Sequence, residues 1–333
     1  MNPQIAASDS SRHLAWIASD DNPARYSAIE EACLRNSRDS FLILWINKPS
    51  LFVGKNQNLW AEVSAKEAFR TGVSLNRRLS GGGTVYHDPG NLNFSFISNG
   101  EPKIAFDSHL KRLLPYFEAR GLPVEIRNRS DLFLGERKFS GNAEYFTGGR
   151  VLHHGTLLFS TDLAQLSRFL TPDSSHYSDR AVDSNRSQTL NLQSVLPDLE
   201  STQSFARDLL DFLLSSESDL REVSALPDDI LRKSEEYMPH FTAPEWVFGR
   251  SPKSSFERRC THSNGELVCR INVTKGRISA ISLSQDQADI SAAVRPLIGD
   301  LHTPAIIGER LRELQKESPI IAVLAPLFLE LFF

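Results

Sequence analysis

Arg77-Arg78-Leu79-Ser80-Gly81-Gly82-Gly83-Thr84-Val85-Tyr86-His87-Asp88-Pro89-Gly90-Asn91 joins paired cations to a run of three glycines. Glycines lack the Cβ that bars left-handed φ/ψ and keeps ligands off the backbone, so successive N–H groups can converge on an anion. An Arg guanidinium stays ionised and offers a planar fork of donors that matches phosphate or carboxylate oxygens. A glycine run by itself is more often a surface turn between solvated arginines. The flanks argue for more than that. Residues 73–78 and 91–97 read as strands, and in the second Leu92, Phe94 and Phe96 alternate with Asn93 and Ser95 in the period of a half-buried strand. The anion-binding loop is therefore strung between strands.

Further out, apolar residues recur at helical spacing over 24–36, and β-rich runs follow at 41–46 and 51–54. Ser64 with Glu67 forms a capping-box pattern for a helix ending near Thr71. Residues 106–119 predict an amphipathic helix that Pro115 can kink, and 124–126, 132–134, 137–146 and 150–159 predict antiparallel strands. Lys138 and His154 then sit on neighbouring strands. The polar Ser- and Asp-rich stretch 172–193 reads as a long loop or mobile cover, followed by helices near 205–214 and 228–237. Two prolines within 239–244 precede a fresh alternating pattern over 254–283 and mark a domain junction. The expected class is α+β: a large catalytic domain over 1–244, with mixed and antiparallel sheets packed by helices, and a small accessory domain over 245–333 with strands followed by helices.

Two more segments add to the first: Arg137-Lys138-Phe139-Ser140-Gly141-Asn142-Ala143, and Arg150-Val151-Leu152-His153-His154-Gly155-Thr156-Leu157-Leu158. With all three in this order, the chain resembles the lipoate-protein ligase A family of the biotin/lipoate protein ligase superfamily. Its motifs are Arg-Arg-x-Ser-Gly-Gly-Gly-x-Val-x-His-Asp, Lys-x-Ser-Gly-x-Ala and His-His-Gly-Thr-Leu-Leu. The likeness extends to Val53-Gly54-Lys55-Asn56-Gln57-Asn58, Ser187-Gln188-Thr189-Leu190-Asn191-Leu192, and Glu245-Trp246-Val247-Phe248-Gly249 with Pro252. Departures are Tyr26, where many members carry Asn, and Asn142-Ala143-Glu144-Tyr145 in place of the commoner Ser-Ala-Tyr. They leave octanoate open beside lipoate, because an apolar pocket separates chains by only about 1–3 kcal/mol per methylene.

The resemblance implies two-step acyl transfer. ATP activates the carboxylate of lipoate as lipoyl-adenylate with release of pyrophosphate, and the adenylate then acylates the ε-amine of a lysine on a carrier domain. Both steps develop anionic charge, which positioned cations and backbone donors stabilise. Arg78 and Lys138 are the expected catalytic cations. The nucleotide is expected along Arg78, Gly81, Gly82, Gly83, Thr84, Val85, Tyr86, His87, Asn91, Asp131, Lys138, Gly141 and Ala143. Lipoate is expected against Arg78, Gly82, Lys138, His154 and Gly155. Of the adjacent histidines only one can face the pocket, and His154 is favoured because Gly155 beside it opens room for the acyl chain. Mg²⁺ is expected to arrive with ATP, with Asp131 as a candidate contact that reads equally as a turn residue. Implied partners are the lipoyl domains of 2-oxoacid dehydrogenase E2 subunits and the glycine cleavage H protein.

Composition agrees. The 333 residues are 40% hydrophobic with net charge -4, which offers no bulk attraction to nucleic acid or anionic membranes. The apolar run 320–333 is shorter than the roughly 20 residues of a membrane span and predicts a helix docked on the small domain. Cys33, Cys260 and Cys269 form neither a CxxC pair nor an even framework, and no export or transit signal opens the chain; a cytoplasmic setting is expected. No Cys/His cluster has metal-site spacing, which argues against a bound zinc. Two other readings stay open at this point: a transferase that uses only preformed lipoyl-adenylate, and a non-catalytic lipoate- or nucleotide-binding protein. Biotin ligase is disfavoured by the absence of a Gly-Arg-Gly-Arg loop.

Overall fold

The computed structural model describes residues 11–100, 106–170, 177–178, 188–262 and 265–333. By its contacts the chain divides into two compact units, Met1–Lys48, Pro89–Thr161 and Ser187–Met238 in the first, Pro49–Asp88, Asp162–Arg186 and Pro239–Phe333 in the second.

The first unit is built on an eight-stranded sheet. Its order is Leu220–Glu222, His13–Ile17, Ser40–Ile46, Asn91–Asn99, Arg150–Leu158, Arg137–Thr147, Asp131–Leu134, Val124–Arg127. The first three pair in parallel and the others antiparallel. Strand alternation divides the residues between two faces. On one, Leu42, Leu44, Phe94 and Phe96 pack with Leu110, Leu113 and Phe117 of helix Phe106–Ala119 and with Phe205, Leu209 and Leu210 of helix Thr202–Ser216. Pro115 is accommodated inside the first of these helices. Towards the other face lies helix Pro23–Asn36, capped by Asn22 and opened by Pro23, where a missing N–H costs nothing. Tyr26 of this helix stacks on Trp45 with centroids 4.7 Å apart.

The second unit holds a three-stranded sheet, Ser74–Arg77, Ser50–Val53, Val85–His87, and a five-stranded sheet, Tyr177–Ser178, Ser254–His262, Gly265–Thr274, Arg277–Gln285, Ala288–Asp289. Helices Pro304–Leu314, Pro319–Leu324 and Phe328–Phe332 follow the last strand, and the end of the apolar tail is buried at Leu331, Phe332 and Phe333. The sheets packed by helices are the α+β class expected from the sequence. Two local expectations shift. Helix Asp228–Thr242 runs through Pro239 rather than stopping before it, since a proline near a helix end leaves few ladder bonds to lose. Of the stretch expected as a long loop, Tyr177–Ser178 pairs with Ser255 and Phe256 as a short edge strand; residues 171–176 and 179–187 lie outside the described residues.

Candidate active site

In the second unit, Ser74–Arg77 and Val85–His87 flank Ser50–Val53, so the loop 78–84 must pass the carboxyl end of that central strand. The neighbouring arginines have different tasks. Arg77 is 1% exposed and spends its donors inside the unit: Nε on the Val247 carbonyl at 2.8 Å, Nη1 on the Gly54 and Gln57 carbonyls at 2.8 and 2.9 Å, and Nη2 on the Ser251 hydroxyl at 2.9 Å. Burial, with Arg250 and Arg78 nearby, pushes it down to about 9. The expected pairing of both arginines on an anion does not hold for Arg77, whose guanidinium is enclosed by carbonyls. Trp246 completes the brace, its indole N–H donating to the Arg77 carbonyl at 2.7 Å.

Arg78 holds the glycine loop. Its Nη2 donates to the Gly81 and Gly83 carbonyls at 2.6 and 2.5 Å, Nη1 to the Phe52 carbonyl at 2.9 Å, and Nε to the Ser80 hydroxyl at 3.0 Å. Gly82 has φ +84°, and a Cβ on Gly54 would stand 1.9 Å from the Gly82 carbonyl oxygen, so glycine is required at both positions. A Cβ on Gly81 would meet nothing within 4 Å, which leaves the loop backbone approachable. Thr84 donates to Gln57 at 3.1 Å. Val85 is half-buried, Tyr86 is buried against Phe169, and His87 stacks on Phe52 with centroids 4.7 Å apart.

In the first unit, Lys138 lies on strand Arg137–Thr147, its N–H donating to Gln188 and its carbonyl accepting from Leu190, in a parallel bridge with Thr189. The polar stretch around Gln188 therefore serves as backbone support for the lysine. Lys138 Nζ sits 2.8 Å from Asp131 Oδ1, with side chains 21% and 8% exposed. Asp131 follows the left-handed turn at Asn128 and Arg129, whose φ values are 52° and 70°. A Cβ on Gly141 would come within 3.2 Å of Lys138 Nζ, so this glycine leaves the ammonium its place. Ala143 pairs across the sheet with His154. Asn91 is buried and donates to Asn93 at 2.9 Å.

His154 and His153 point to opposite faces. His154 Nδ1 lies 2.8 Å from Glu30 of helix Pro23–Asn36, and Glu30 accepts from the Ser95 hydroxyl at 2.6 Å, which accepts from the Trp45 indole at 3.2 Å. The Tyr26 departure falls beside this buried network. The room at Gly155 is not open: a Cβ there would stand 1.9 Å from Asn142 Oδ1 and 2.8 Å from the Phe94 ring. On the other face, His153 approaches Glu144 at 2.9 Å and His109 at a ring distance of 5.0 Å, and burial pushes it down to about 4. Spacing hid this trio, because helix Phe106–Ala119 brings its third member.

Residues 22–213 match the lipoyl protein ligase A/B catalytic domain family. The chain is 32% identical over 317 residues to the Probable lipoate-protein ligase A of Mycoplasma genitalium, covering 92% of this chain and 94% of that one. It therefore belongs to the lipoate-protein ligase family and is an enzyme. Its fold is shared with a crystal structure of lipoate-protein ligase A bound with ATP, at 22% identity and TM-score 0.61, covering 72% of this chain and 98% of that one. It is also shared with the bi-partite lipoate protein ligase of Thermoplasma acidophilum, solved in work that included its E2 lipoyl domain, at 22% identity and TM-score 0.61, covering 71% and 96%. Among the described residues no helix is long and apolar enough to cross a membrane.

Proposed function

We propose that the protein is an ATP-dependent ligase that converts free lipoate to lipoyl-adenylate and transfers the lipoyl group to a lysine of carrier domains, in the cytoplasm. The observation that carries this reading is Lys138, held by Asp131 with Gly141 leaving its ammonium space, in a chain of the lipoate-protein ligase family. An ammonium held there can bridge a carboxylate and a phosphate, orient the mixed anhydride and offset charge on the leaving AMP. Arg78 supports the same chemistry by holding Gly81 and Gly83, whose backbone lines the loop assigned to the nucleotide. Mg²⁺ fits as a companion of ATP, with the Asp131 carboxylate as its protein contact. Residues 1–244 act as the catalytic domain and 245–333 as the accessory domain; E2 lipoyl domains and the glycine cleavage H protein are the carriers.

The test is incubation of purified protein with ATP, Mg²⁺, lipoate and an apo carrier domain, followed by intact mass and pyrophosphate release. Lipoylation with pyrophosphate supports the ligase. Lipoylation only from supplied lipoyl-adenylate identifies an adenylate-dependent transferase, and no transfer at all identifies a binding protein.

A further inference from the structure

We propose that His109, Glu144 and His153 form a binding site for a divalent transition-metal ion of the zinc class, on the sheet face opposite His154 and separate from the ATP-linked chemistry. The three side chains come from different elements. His109 is on helix Phe106–Ala119, while Glu144 and His153 face each other across the strand pair Arg137–Thr147 and Arg150–Leu158. One ligating atom from each lies within 4.8 Å of the others. Glu144 Oε1 is 2.9 Å from His153 Nδ1 and 3.5 Å from His109 Nδ1, so the donors already converge. Two imidazole nitrogens and a carboxylate, with a further position left for solvent, are the donor set of open zinc sites.

The setting supports an ion rather than a loose surface cluster. The three side chains are 13%, 4% and 0% exposed, and the Glu144 carboxylate is held against His153 at 2.9 Å, so the donors are fixed in a buried, preformed arrangement. Phe94 and Phe96 stack around the imidazoles at 5.8–6.4 Å and give the polar trio an apolar collar. Ser98 Oγ lies 3.5 Å from His109 Nε2, a contact that leaves Nδ1 as the ligating nitrogen; Ser108 Oγ approaches that Nδ1 at 3.4 Å. Imidazole nitrogens select zinc, cobalt, nickel and copper over Mg²⁺, so the ion that accompanies ATP does not compete here. Glu144 also lies in the segment where this chain departs from the usual family pattern. A bound ion would tie helix Phe106–Ala119 to the strand pair that carries Lys138 and His154.

The inference does not depend on the ligase reading, because its test reads metal binding rather than lipoylation. Untagged protein, stripped with chelator and free of nucleotide, is titrated calorimetrically with Zn²⁺ and with Co²⁺, whose visible absorption reports coordination. The expected result is one equivalent bound and a higher melting temperature. His109→Ala alters the most exposed member of the trio, and Glu144→Gln keeps shape while removing charge; each is expected to weaken binding at least about 100-fold, since a primary ligand counts for more than the 10–100-fold of its supporting partners. Wild-type protein that binds no stoichiometric metal, or variants that bind as tightly as wild type while melting cooperatively, would overturn the site and leave Glu144 as a hydrogen-bond acceptor only.

Discussion

At the scale of single residues, neighbours in sequence prove to have opposite tasks. Arg77 and Arg78 look like a pair, yet one is enclosed by carbonyls and the other organises the glycine loop. Lys138 shows the converse, a strand lysine that looks ordinary by type and is set apart by its fixed carboxylate partner. Its ammonium is partly exposed but Asp131 is only 8% exposed, so removing the lysine leaves a buried carboxylate without its cation and costs stability as well as chemistry. Lys138→Ala is expected to lower the lipoylation rate about 100-fold or more, in line with loss of a preorganised transition-state donor, and to lower the melting temperature. The double variant Lys138→Ala/Asp131→Asn, which removes the stranded charge, should regain stability but not activity. A variant of normal turnover would remove Lys138 from the chemistry. The cysteines predict a null effect. Cys33 and Cys269 are buried, with Cys269 pushed up to about 12, and burial with Glu330 nearby raises the Cys260 thiol. None is an activated thiolate, the form a thioester mechanism requires. A triple Cys→Ser/Ala variant should keep ATP-dependent lipoylation, and an acyl-cysteine adduct in the wild type, found by mass spectrometry, would contradict this.

At the scale of elements, the glycine loop is shaped by what lies beneath it. Gly54 ends the central strand directly under Gly82, where a methyl group would meet a backbone carbonyl that cannot rotate away. Gly54→Ala should displace the loop, raise KM for ATP in pyrophosphate release and destabilise the protein by about 1–3 kcal/mol, the range for forced overpacking. An unchanged KM would mean that the loop is remote from the nucleotide. The backbone need for glycine was legible in the run 81–83, whereas Gly54 and Gly141 stood in the sequence only as letters of family motifs, and their close contacts with Gly82 and Lys138 came from the structure. Side-chain partners were not legible either, because Gln57, Asn142 and Glu30 carry no sequence signal that points to Thr84, Gly155 or His154. Room for an acyl chain at Gly155 was inferred from the missing Cβ alone; in the structure Asn142 fills it.

At the scale of the whole molecule, Gly54 and the glycine loop share a compact unit with residues 239–333. Deleting 245–333 would take away Val247 and Ser251 from Arg77 and leave buried donors unsatisfied. Adenylate formation should therefore fall more than transfer from supplied lipoyl-adenylate; equal loss in both half-reactions would separate the loop from activation. The same unit has an acid-sensitive point. His302 is buried, donates from Nε2 to the Phe332 carbonyl at 2.7 Å and is pushed down to about 4 by burial. The unfolded chain binds this proton near pH 6.5 and the native one does not, so stability is lost as pH falls from about 6.5 to 4 and levels off below, by about 3 kcal/mol. Melting curves across that range should show a shallower fall for His302→Gln than for wild type. Identical slopes would assign the acid lability elsewhere.

Strand period, helix spacing and the three glycine-bearing motifs were enough by themselves to establish the α+β class, the family and the candidate residues, because each depends on local backbone geometry and residue chemistry that neighbours in the chain reveal. The residues that meet across the fold were decided only by tertiary structure: Arg77 with Val247, His154 with Glu30, and His109 with Glu144 and His153. These contacts join positions far apart in sequence, and their energies come from burial and from donors finding acceptors, conditions that exist only once the sheets and helices have packed.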